Sequence, residues 1–228
     1  MKRIISGIMM ALLLVVMSGA ARAEEEKVEG TVIKAGIKMW MNSWKREAPG
    51  TESMKSNNIL LVGPSIEAEL NDRFFVEASY LFSASDYKFT EAGVTTEFDR
   101  SDLDLALGTN LNRYVGAMIG YRNSAFKEKE TGAKESLYGL FYSVRGSAPL
   151  NETISLYGKL TYLSTRFKAE GQAREEAPGW IADAGIKYAF NKELTGDLGY
   201  KYETTKGKDS SIKDTFTGVT LGVMYAFE

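Results

Sequence analysis

TVIKAGIKMWMNSW, residues 31–44, is the stretch on which the reading of the fold turns. Ile33, Ala35, Ile37, Met39 and Met41 fall on one side of an extended chain, and Lys34, Gly36, Lys38 and Asn42 on the other. Side chains that alternate with a period of two define a β-strand with one apolar and one polar face; a helical period of 3.6 would mix the two sets. The same alternation recurs over 58–70, 74–85, 98–111, 114–123, 136–149, 153–165, 180–190, 194–204 and 215–227. Composition agrees, since 12 Tyr, 11 Phe and 22 Gly against 4 Pro favour sheet over helix bundle.

The connections between these segments alternate in length. Asn71-Asp72-Arg73, the stretch around 110–113, Asn151-Glu152 and Asn191-Lys192-Glu193 are short and rich in Asn and Asp, residues that turn the backbone through their own side chains. Long polar connections lie at 45–57, 86–97, 124–135, 166–179 and 205–214. A chain that goes up and down with short turns at one rim and long loops at the other has its termini on the short-turn side.

Residues 1–23 read as a secretory signal peptide. Lys2 and Arg3 form a basic start, Ile4 to Val16 an apolar core, and Ala21-Arg22-Ala23 a small-residue cleavage site before the acidic Glu24-Glu25-Glu26. An uncleaved membrane helix is the competing reading, because the apolar stretch can be extended to about 18 residues. Without the leader, residues 24–30 form a short periplasmic segment and 31–228 one domain. The whole chain carries a net charge of −2, and losing the leader's bases makes it more acidic, which argues against a nucleic-acid partner. No cysteine is present, so no disulfide staples the domain.

After the leader no segment is apolar for long enough to cross a bilayer as a helix, and membrane residence therefore requires strands closed into a barrel. The apolar sets hold almost no charge: Leu103, Leu105 and Leu107; Leu156, Leu160 and Tyr162; Val219, Leu221, Val223, Tyr225 and Phe227. A charge facing hydrocarbon is costly, whereas a lumen can hold it, so the apolar sets point outward. A strand of about 11 residues rising ~3.3 Å each and tilted ~45° crosses roughly 25 Å, the height of an apolar belt. Aromatic residues near both strand ends, among them Phe74, Tyr188 and Phe190 at one and Tyr121, Tyr162 and Trp180 at the other, suit two interfacial girdles. A secreted soluble barrel or sandwich would show the same periodicity with the faces reversed; the even strand count, the rim asymmetry and the charged alternate face favour the membrane.

On these features the chain, from about Thr31 to Phe227, resembles the small outer-membrane β-barrel proteins, the group of OmpA-like, OmpX-like and Opa-like barrels. The resemblance implies a ten-stranded antiparallel up-and-down transmembrane β-barrel of the outer membrane, with short periplasmic turns and long extracellular loops. It also implies that Val223, Tyr225 and Phe227 act as the C-terminal signal read by the barrel-assembly machinery, although here Glu228 follows the aromatic residue that commonly ends the family's chains.

Matching faces across the turns sets strand registers and so the neighbours on the inward face. About Lys192, Lys187 opposes Asp197 and Asp183 opposes Lys201; about Arg113, Asp104 opposes Arg122. The same construction sets Glu67 beside Glu77 and Arg145 beside Lys159, like charges that repel unless something across the lumen compensates. In a ten-stranded cylinder these two hairpins lie nearly opposite, so an acidic wall of Glu67, Glu69, Glu77, Asp102 and Asp104 is expected to face a basic wall of Arg145 and Lys159 flanked by Arg122 and Lys38. Such a lumen is either filled by ion pairs or a narrow pore with a transverse field.

Residues for catalysis are scarce. The chain has no histidine, which removes the usual general base and metal ligand, and it has no glycine-rich phosphate loop or nucleophile elbow. Asp102 and Asp104 could act as an acid–base pair, and Asp99 with them could attract calcium, but i and i+2 acids on one strand belong more naturally to an ion-pair lining. Loops of mixed charge such as Lys127-Glu128-Lys129-Glu130 read as solvated surface, with contact to lipopolysaccharide or a surface ligand as the functional alternative. The expected function is therefore that of a non-enzymatic, monomeric barrel without cofactor or metal, serving envelope structure or surface interaction. A narrow porin-like channel for small solutes or ions is the alternative.

Overall fold

A computed structural model describes residues 31–91, 94–171 and 173–227; the leader and the segment 24–30 lie outside the described residues. In chain order the strands are β1 (Val32–Glu47), β2 (Met54–Glu69), β3 (Phe74–Ser83), β4 (Tyr87–Glu91), β5 (Val94–Asn110) and β6 (Val115–Glu128). They continue as β7 (Lys134–Pro149), β8 (Ile154–Ala169), β9 (Glu175–Glu176), β10 (Gly179–Ala189), β11 (Leu194–Lys206) and β12 (Lys213–Phe227). Neighbours pair antiparallel, β10 joins β8, and β12 joins β1 from Ile33 opposite Phe227 to Glu47 opposite Lys213, so the sheet closes. β4 and β9 stand outside the cycle and pair with the ends of β5 and β8, which leaves the ten barrel strands expected from the sequence. Closure leaves no unpaired edge in the hydrocarbon, the condition for sheet to span a bilayer.

The short turns share one device. Asn71, Asn112, Asn151 and Asn191 each accept two backbone N–H bonds through Oδ1: from Arg73 and Phe74, both at 2.8 Å; from Tyr114 and Val115, at 2.8 and 2.9 Å; from Thr153 and Ile154, at 2.9 and 2.7 Å; and from Glu193 and Leu194, at 2.9 and 2.6 Å. Each asparagine supplies an acceptor that the reversing backbone lacks. At the other rim the structure departs from expectation. Much of the predicted long loops is strand: β1 and β2 are separated only by 48–53, and β6 and β7 only by 129–133. Beyond the membrane the ladders continue because paired backbone satisfies its own polar groups.

The outward face is apolar, as the alternation requires: Ile37, Leu107 and Val223 are about half exposed, at 54%, 52% and 45%. The inward face differs from the ionic lining expected. Its extracellular half holds an aromatic core of Trp40, Trp44, Tyr87, Phe89, Phe126 and Phe216, packed with Ile59, Leu61 and Leu81. Trp44 lies at its centre, 5.3 Å from Phe216 and 5.0 Å from Phe126 between ring centroids. Trp44 shares the inward parity of Lys34, Lys38 and Trp40 on β1; beside it a β-bulge against β2 falls between Ser43 and Lys45, and the Trp44 backbone N–H donates to Ser56 Oγ at 2.9 Å. A second cluster, Phe75, Met118, Phe141, Leu163 and Ile181, fills space along the wall of β3, β6, β7, β8 and β10.

Candidate functional site in the barrel lumen

Alternation along each strand delivers the charged side chains to the lumen, and closure brings together those that are distant in sequence. Nearest the short turns, Lys34 Nζ bonds Glu69 Oε1 at 2.7 Å. Next, Glu67 lies opposite Glu77 and Arg145 opposite Lys159 in their ladders. The two like-charged pairs meet across the lumen. Arg145 Nη1 donates to Glu67 Oε1 and to Glu77 Oε1, each at 2.7 Å, and Lys159 Nζ donates to Glu77 Oε2 at 2.9 Å. The Arg145 guanidinium also stacks 3.5 Å above the Phe75 ring.

A second network sits deeper. Arg100 Nε donates to Asp102 Oδ1 at 2.8 Å and Nη2 to Glu203 Oε1 at 2.9 Å. Arg122 Nη2 reaches Glu203 Oε2 at 3.0 Å and Asp102 Oδ2 at 3.3 Å, with Nε 3.6 Å from Asp104. Arg100, Asp102, Arg122 and Glu203 are all 2% exposed or less. Arg100 is sandwiched against the aromatic core, 4.0 Å over the Phe216 ring, and Lys201 Nζ lies 4.0 Å over Trp40. Buried charges are tolerated only with this degree of pairing and hydrogen bonding.

Not every register neighbour touches. Asp183 opposes Lys201 and Lys187 opposes Asp197, yet neither pair is a direct ion pair among the described residues. Lys201 instead lies 3.6 Å from Glu203, Asp183 accepts from the Tyr157 hydroxyl at 3.3 Å, and Lys187 lies over the Tyr157 ring at 5.7 Å. The expected acidic wall also divides: Glu67 and Glu77 face Arg145 and Lys159, Glu69 is taken by Lys34, and Asp102 and Asp104 belong with Arg122. Arg100 and Glu203 were missed in sequence, although both share the inward parity of Asp104 and Lys201; the parity rule, carried two and four residues further, would have found them. Asp99 is 3.6 Å from Lys129 rather than beside Asp102 and Asp104, and no metal-holding group of side chains occurs among the described residues.

Charge along the membrane-spanning lumen is balanced. Lys34, Lys38, Arg100, Arg122, Arg145, Lys159, Lys187 and Lys201 are matched one for one by Glu67, Glu69, Glu77, Asp102, Asp104, Asp183, Asp197 and Glu203. The arrangement therefore neutralises itself instead of presenting a field of one sign. Val223, Tyr225 and Phe227 lie on the outside of β12, about half exposed, opposite Ile37, Ala35 and Ile33 of β1.

Residues 84–227 match the family model described as the outer membrane protein beta-barrel domain. No curated protein sequence matches the chain. Among solved structures, the outer membrane protease OmpT from Escherichia coli is similar with a TM-score of 0.59 at 13% identity, covering 86% of this chain and 97% of that one. Ail, the attachment invasion locus protein of Yersinia pestis, aligns with a TM-score of 0.39 at 15% identity, over 88% of this chain and 100% of its own. Likeness to the protease at this identity concerns the fold. The family match spans most of the described barrel, from the β3–β4 connection through β12, and on it the chain belongs to the outer membrane protein beta-barrel domain family, whose place is the cell outer membrane.

Proposed function

We propose that the protein is a closed, non-enzymatic barrel, exported on a cleaved signal peptide, whose role is in envelope structure or at the cell surface rather than in transport. The observation that carries this reading is the double filling of the lumen. The Arg100–Asp102–Arg122–Glu203 network spans it, and the aromatic core around Trp44 lies on its extracellular side. Eight-stranded barrels are just filled by side chains and wide channels need about sixteen strands, so a ten-stranded wall lined by tryptophan and arginine has little room for a water path. The non-enzymatic part of the reading is supported by the chemistry of the lumen. The sequence has no histidine, and Asp102, Glu203, Glu67 and Glu77 are each held by arginine or lysine rather than poised over an open cleft.

Partners follow from the same reading: membrane lipid and lipopolysaccharide around the belt, the barrel-assembly machinery at β12, and a surface ligand at the outer rim. Reconstitution in planar bilayers tests closure. The wild type is expected not to conduct, and Arg145→Ala with Lys159→Ala is expected not to conduct either, because the deeper network and the aromatic core remain. Steady single-channel currents from the wild type would instead establish the narrow channel for small solutes or ions.

A further inference from the structure

Above the aromatic core, at the extracellular mouth, a half-enclosed cavity of about 110 Å³ remains. Its apolar walls are Phe126, Leu137, Phe167 and Phe216. Two loops close over it. Glu175 on β9 accepts from Ser210 Oγ at 2.7 Å and from the backbone N–H groups of Ser210 and Asp209 at 2.9 and 3.1 Å, and the neighbouring Glu176 pairs with Lys208. The β8–β10 and β11–β12 connections are thereby clipped together at one edge of the cavity.

The charge of this cavity is unlike that of the balanced lumen beneath it. Arg46 is the one base in its lining, against Glu135, Glu175 and Asp214. Arg46 is spent mainly on Asp214, donating from Nε at 2.8 Å and from Nη2 at 3.1 Å, and Asp214 also accepts the Trp44 indole N–H at 2.7 Å. Glu135 accepts a single hydrogen bond among the described residues, from Arg46 Nη2 at 3.1 Å, and its side chain is 22% exposed. An aromatic-walled space with surplus negative charge is complementary to a cation with an apolar stem, because aromatic faces and carboxylates both attract it. Size narrows the class. An apolar cavity of about 150 Å³ holds benzene, so this smaller one suits a stem of about four carbons.

We propose that the mouth cavity is a binding site for a short alkylammonium group, the ammonium at Glu135 and the stem between Phe126, Phe167 and Phe216. The inference deepens the surface-facing reading above and rests on it. The same chemistry is offered by a free small amine and by a lysine side chain on a peptide.

The test uses the full mature barrel refolded in detergent, read through the Trp44 indole N–H resonance, which reports on Asp214 beside the cavity. n-Butylammonium is expected to shift it saturably, and the neutral isostere n-butanol to bind at least about ten-fold more weakly, the loss that follows from removing one charged hydrogen bond. Glu135→Gln should weaken n-butylammonium by a similar factor, and Ala177→Phe, which fills the cavity from its buried wall, should abolish the shift. N-acetyl-lysine amide separates the sources: a shift identifies a peptide lysine as an acceptable donor, and its absence beside a butylammonium shift identifies free amines. No saturable shift with n-butylammonium, equal response to n-butanol, or unchanged affinity in Glu135→Gln would overturn the site. A silent bilayer with no amine shift removes the site and leaves the closed barrel standing; current together with an amine shift does the opposite.

Discussion

Leu105 and Ala106 are adjacent and face opposite solvents. Leu105 is 46% exposed on the outer wall, whereas Ala106 packs against the inner cluster around Phe75. Leu105→Arg is therefore expected to cost about 2–4 kcal/mol if it lies near the midplane, because the guanidinium meets hydrocarbon. Ala106→Arg places the same group in the lumen, where its cost is set by space rather than by lipid. Denaturant unfolding in lipid vesicles compares them, and equal losses would contradict the facing. Glu203 tests the interior charge: Glu203→Gln leaves Arg100 and Arg122 buried with Asp102 as the one carboxylate they share, and with Asp104 3.6 Å from Arg122 alone. Breaking a buried pair from one side costs about 3–5 kcal/mol, so a drop of that size is expected in the same unfolding measurement. Both positions were accessible to parity, but their energetic difference was not, since the pattern reports a face and not what lies beyond it.

At the scale of the strand, packing depends on glycines that leave room for rings. A methyl group added at Gly108 on β5 would overlap the ring of Phe75 on β3, which is itself fully buried. Gly108→Ala should therefore cost about 1–3 kcal/mol through overpacking, and Phe75→Leu in the same chain should recover part of it. A double-mutant cycle that shows strict additivity would mean that the two residues do not meet. Strand ends were the least legible feature in the sequence. The segments expected to be long loops are polar, as loops are, yet 87–91, 124–128 and 134–135 extend the ladders, and it is neighbouring backbone rather than side-chain pattern that sustains them.

For the molecule as a whole, closure is the stabilising event. β12 pairs with β11 on one side and with β1 on the other, so removing residues 213–228 exposes two strand edges within the hydrocarbon. Unpaired backbone there costs several kcal/mol per group, and the truncated chain is expected not to form a protease-resistant barrel in vesicles, where the full chain does. A protected core after truncation would show that the remaining strands can close by themselves.

The alternation of Ile33, Ile37 and Met41 with Lys34 and Lys38 was enough to establish the strands and, with the asparagine turns, the hairpin registers down to Asp104 opposite Arg122 and Lys187 opposite Asp197. These are local properties: a two-residue period and a turn position set which face and which neighbour each residue has. What meets across the lumen was decided by the closed sheet. Arg100 on β5 and Glu203 on β11, 103 residues apart, come within bonding distance only because the barrel curves round to face them, while Trp44 and Asp214, 170 residues apart, become ladder neighbours only at the β1–β12 seam that closes it. The aromatic core arose the same way, because a tryptophan on the polar side of one strand is an anomaly until the rings of other strands converge on it.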